Sequence, residues 1–106
     1  MPTNVTIEPG VCGFTCNVVA TLNDDDEVVV EVETGCKAVR GMIDELGDTF
    51  DPMEICFNKP GTGPFFEYAS EHFPIHVACP TIGGIAKAIE VEGKLALPHN
   101  VSVTFN

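Results

Sequence analysis

Two neighbouring stretches that alternate apolar and polar residues constrain this chain more than any other feature. Phe14, Cys16, Val18, Ala20 and Leu22 share one side; Thr15, Asn17 and Thr21 share the other, with Val19 the exception. Val28, Val30 and Val32 repeat the pattern, with Glu31 and Glu33 turned to water. A period of two is that of a strand with one buried face. The run Asn23 to Glu27 between them reads as a solvated hairpin tip. It lacks the glycine and the closing glutamate of a calcium-binding loop. Pairing Leu22 with Val28 sets Ala20 against Val30 and Val18 against Val32. A slip of one residue would send the apolar rows to opposite faces, so burial holds the register. Continued further, the same register brings Phe14 to Cys36 and leaves Cys12 at the same open end. Cys12 and Cys36 are therefore expected to be neighbours.

The rest of the chain reads as short helices and one more strand at each end. Asn4 to Glu8 is a short strand, followed by a turn at Pro9-Gly10. Cys36 opens a helix whose Val39, Met42, Ile43 and Leu46 fall on one stripe, and Gly47 closes it. A helical turn starts at Asp51-Pro52 and carries Cys56. After the loop Lys59 to Gly63, Pro64 starts a helix that buries Phe65, Phe66, Ala69 and Phe73; Pro74 stops it. Ile75 to Ala78 is an extended lead-in to Cys79, which caps a helix beginning at Pro80 and burying Ile82, Ile85, Ala86 and Ile89. Gly83-Gly84 allows a looser first turn or a close approach. Val101 to Phe105 alternates again and reads as a final strand. The fold class is α+β: an antiparallel sheet of three to four strands, begun by an N-terminal hairpin, with helices on one face. At 106 residues the chain is a single domain.

Composition narrows the function classes. The formal net charge is −11, with five Lys plus Arg, and phosphate binding needs a basic surface, so nucleic acid is excluded as a partner. No apolar run reaches the length of a membrane span, so no membrane association is expected. The first ten residues lack a basic start followed by an apolar stretch, and a cytoplasmic location is expected. There is no Gly-x-Ser-x-Gly, no His-x-x-x-His and no phosphate loop, which argues against an ordinary hydrolase.

Cysteine carries the remaining signal. The five cysteines, at 12, 16, 36, 56 and 79, are odd in number and cannot all pair within one chain. In a cytoplasmic setting such a set points to metal or redox chemistry. Cys36 and Cys79 each precede a helix, where the positive end of the helix dipole favours the thiolate. Sulfur ligands of this kind suit zinc or an iron–sulfur cluster.

These residues resemble a known family, the U-type iron–sulfur cluster assembly scaffolds. The shared features are Cys12-Gly13 before a hairpin strand, Gly35-Cys36 opening a helix, and Pro74 to Cys79 leading into a helix rich in alanine and isoleucine. The resemblance covers about residues 10 to 92. The layout is also similar to the TSCPD-type domain, through Cys79-Pro80. It is similar, too, to small prokaryotic proteins with Pro-Gly-x-Cys-Gly-Phe near the start and Ala-Cys-Pro near the end. The resemblance implies a scaffold-like fold and a three-thiolate site of Cys12, Cys36 and Cys79. His76, Cys56, Cys16 and His72 are candidates for a fourth ligand, and His99 belongs to the surface. It implies an iron–sulfur cluster or zinc as cofactor, and protein partners in cluster or metal transfer. The chain departs from the scaffolds at Phe14, where they carry aspartate, and at Ala78, where they carry histidine. The expected function is metal binding through convergent thiolates, without catalysis. The alternatives are a domain with structural zinc or no metal, and a thiol-redox protein in which Cys12 pairs with Cys36.

Overall fold

A computed structural model describes residues 2–106. Four strands form an antiparallel sheet in the order β1 (Thr3–Ile7), β2 (Cys16–Leu22), β3 (Val28–Thr34) and β4 (Thr49–Phe50). Helix α1 (Lys37–Leu46) connects β3 to β4, and α2 (Pro52–Cys56), α3 (Pro64–His72) and α4 (Pro80–Glu92) follow. The fold is α+β, as the pattern of apolar residues requires.

The hairpin has the expected register: Leu22 faces Val28, Ala20 faces Val30 and Val18 faces Val32. Cys16, Val18, Ala20, Val28 and Val30 are buried on one face, which the helices cover, while Asn17, Thr21, Glu31 and Glu33 remain exposed. The core joins this face to Val39 and Met42 of α1, Phe65 of α3, and Ile82, Ile85, Ala88 and Ile89 of α4. Phe50 and Phe65 meet edge to face at 5.1 Å, which seats α3 on the sheet.

Helix α4 is the main cover of β1 and β2. Gly84 explains how closely it sits, because a Cβ there would stand 2.5 Å from Ile7 Cδ1. Close approach, rather than a looser first turn, accounts for this glycine. No helix among the described residues is long and apolar enough to cross a membrane.

Two features depart from the sequence reading. The strand β4 was not anticipated; its two residues pair with Val28 and Val29. Residues 101–105, expected to be a final strand, have no regular structure and are exposed. Their alternation fits a strand, but within the single chain they pair with no other strand.

Candidate thiol centre

Strand β2 begins at Cys16, fully buried on the core face. Its partner across the ladder is Thr34, the last residue of β3. The Thr34 hydroxyl accepts a hydrogen bond from the Cys36 N–H at 3.2 Å, turning the chain out of the sheet. Cys36 is then the N-cap of α1, with extended backbone angles of φ −73° and ψ 114°. Cys79 has the same role on α4, at φ −62° and ψ 114°, with Pro80 in the first turn.

Neither cysteine makes a side-chain capping hydrogen bond. The contrast is α2, whose N-cap Asp51 accepts from the Met53 N–H at 3.0 Å. Cysteine is a poor cap, so two helix N-termini present a half-buried thiol where a serine or aspartate would bind the backbone.

Cys16, at the start of β2, lies toward the same end of the molecule as the two helix caps. The thiol of Cys16 is pushed up from 9.0 to about 11, first by burial, then by the nearby charges of Cys36 and Cys79. Cys16, one of the candidate fourth ligands, is thus the cysteine whose surroundings include Cys36 and Cys79. Cys16 stays protonated at neutral pH, and any metal drawing on its sulfur must displace that proton. As they stand, no three His, Cys, Asp or Glu among the described residues form a group that could hold a metal ion.

The hairpin ladder itself does not place Cys12. The ladder between β2 and β3 ends at Cys16 and Thr34. Before it the chain turns, with Gly13 N–H donating to the Gly10 carbonyl at 2.9 Å and Thr15 N–H to the Gly13 carbonyl at 3.0 Å. Both glycines have positive φ, 102° and 71°. This turn takes Cys12 off the strand and leaves it exposed, so the ladder does not set it opposite Cys36. The ring of Phe14 lies instead against Gly35, where a Cβ would be 3.1 Å from Phe14 Cδ1.

The other candidates lie apart in role. Cys56 ends α2 and donates its thiol to the Ala86 carbonyl at 3.7 Å. Burial, then Glu90, pushes it up to about 11, so it is a packing thiol against α4. His72 stacks on Tyr68 at 4.3 Å and lies 3.8 Å from Glu71 on the exposed side of α3. His76 is exposed, and its carbonyl accepts from the Cys79 N–H at 3.4 Å, shaping the turn into α4. His99 is exposed in the C-terminal segment.

The loops around Cys12 and Cys79 are apolar and solvent-facing. Val11 and Phe14 flank Cys12, and Ile75 and Val77 precede Cys79; all four are exposed. Sequence reasoning did not single these out, although their place beside the cysteines was visible. No curated protein and no solved structure matches the chain. Residues 3–105 match a family of unknown function, DUF6951, and the protein belongs to that family.

Proposed function

We propose that this end of the molecule is a thiolate centre that binds zinc or an iron–sulfur cluster. Cys36, Cys79 and Cys16 are its ligands, and Cys12 on the adjoining loop is the further thiolate available. The observation that carries the reading is the placement of Cys36 and Cys79 at the N-caps of α1 and α4, with Cys16 at the start of β2 toward the same end of the molecule. The uncapped N-termini of α1 and α4 support it, since both hold a thiol in the field of a helix start. The resemblance to U-type scaffolds points the same way. A bound metal or cluster would be held by soft sulfur ligands, with the helix dipoles offsetting their negative charge. Exposure of Cys12 and of the apolar residues beside it favours an exchangeable site that meets a protein partner over a closed structural one.

The test is anaerobic purification followed by measurement of zinc, iron and acid-labile sulfide. Stoichiometric metal is expected in the wild type. Loss is expected in Cys36→Ala, Cys79→Ala and Cys16→Ala, with weakening in Cys12→Ala. Absence of metal from reduced, metal-replete protein would overturn the proposal. A pair of thiols that oxidises and re-reduces reversibly, without any metal bound, would replace it with the redox reading.

A further inference from the structure

The segment Val101 to Phe105 has the composition of a strand without the surroundings of one. Val101, Val103 and Phe105 alternate with Ser102 and Thr104, the period of a half-buried strand. Yet the three apolar residues are 66%, 81% and 94% exposed. Among the described residues, none from 100 to 106 makes a backbone hydrogen bond; the last is His99 N–H to the Leu97 carbonyl. The family match runs to residue 105, so this segment is part of the family's unit.

The sheet has a matching vacancy at its edge. β1 pairs with β2 on one side and has no neighbour on the other. It is five residues long, the same length as Val101 to Phe105. Its Thr3, Val5 and Ile7 point to the α4 side and are only half-buried. A strand laid along β1 with Val101, Val103 and Phe105 on that side would extend the apolar row and complete the burial of Val5 and Ile7. An unpaired edge is a template for such addition.

Charge and connectivity point to a second copy as the occupant. All 16 acidic residues lie between Glu8 and Glu92, whereas the segment from Gly93 onward has none and carries Lys94 and His99. It can approach an acidic body without repulsion. The end of α4 is tied down where Glu92 accepts from the Thr3 hydroxyl and the Leu22 N–H. Beyond it Gly93 packs on Pro52, and Lys94 and Leu95 share a cleft with Asp25, Glu27 and Met53, so the tail leaves past the hairpin tip and α2, on the β4 side of the sheet rather than along its own β1, and the single chain leaves both tail and edge unpaired. We infer that Val101–Phe105 of one copy adds as a strand to the outer edge of β1 in a second copy, giving a dimer with two reciprocal exchanges. This interface is isologous, because the same two segments meet twice. It is independent of the thiol centre.

The 106-residue chain, with reductant and chelator present to exclude disulfide or metal bridges, is compared with Val103→Asp/Phe105→Asp by sedimentation. Both side chains are exposed in the single chain, so the double variant should keep the monomer's circular dichroism. A wild-type dimer is expected, with association weakened at least about tenfold in the variant through lost apolar burial. A wild type that stays monomeric at high micromolar concentration would overturn the inference, as would a variant that dimerises as tightly as the wild type. A monomer whose 101–105 amides are protected from hydrogen exchange would show pairing within one chain and would overturn it too.

Discussion

At the end of the sheet where β2 turns into β3, polar side chains fasten the chain; at the opposite end, cysteines occupy comparable places without fastening it. Asn23 closes the hairpin tip, its side-chain oxygen accepting from the N–H groups of Asp25 and Glu27 at 2.9 and 3.0 Å. Glu92 binds the Thr3 hydroxyl at 2.7 Å and the Leu22 N–H at 2.8 Å, tying the last turn of α4 to two strands. At the other end, Cys36 and Cys79 cap helices without a side-chain hydrogen bond, and Val11, Ile75 and Val77 face solvent. One end is built for stability. The other forgoes stability at positions where it would be easy to obtain, which is common where a site has a different task.

The strongest way to break this contrast is at Glu92. Glu92→Ala removes a charged acceptor from two part-buried donors and is expected to destabilise the protein by about 2–4 kcal/mol, read by urea unfolding. A loss no larger than that of an exposed surface substitution would mean that the tip is not fastened by this residue. A smaller effect is expected at Cys56, which belongs to neither end. Its folded-state thiol sits at about 11 against an ordinary 9.0. The folded protein therefore holds that proton more tightly than the unfolded chain. Its contribution is complete below pH 9 and is lost as pH rises from 9 to 11. After allowance for solvent screening of a half-buried thiol, the loss is about 1 kcal/mol. Cys56→Ala should flatten that part of the stability profile of metal-free, reduced protein; an unchanged slope would show that burial does not hold the proton there. The smallest effect sharpens the contrast from the other side. Cys79→Ser supplies the missing cap and should stabilise the metal-free protein by about 0.5–1 kcal/mol while abolishing metal uptake. A serine that stabilises nothing would show that the cysteine was not chosen against capping.

What could be read from the chain alone depended on how local each feature is. The hairpin register followed from two apolar rows that burial keeps in step, and the helices from prolines and glycines at their ends. Strand β4 escaped because two residues carry no period. The fastening by Glu92 escaped because its partners lie 70 and 89 positions away, and nothing local marks a carboxylate as a clasp. Within the site, Cys36 and Cys79 as helix caps were legible. The place of Cys12 was not, because the register was carried past the point where Gly10 and Gly13 end it. Cys16 reads as an ordinary member of the apolar row, and it is one; the role proposed for it depends on α4 packing over β2. The strand expected at 101–105 illustrates the converse, since alternation specifies a face and cannot supply a neighbour.

Gly84 carries one consequence for the thiols. It lies five residues beyond Cys79 on the same helix, roughly 7.5 Å along the axis. The space between α4 and β1 at that point is that of a hydrogen atom, because Ile7 fills the rest. A helix moves as a rod over so short a length. The height at which Cys79 stands above the sheet, and so its spacing from Cys16 below, is gauged by the missing side chain at Gly84 as much as by any residue that carries sulfur.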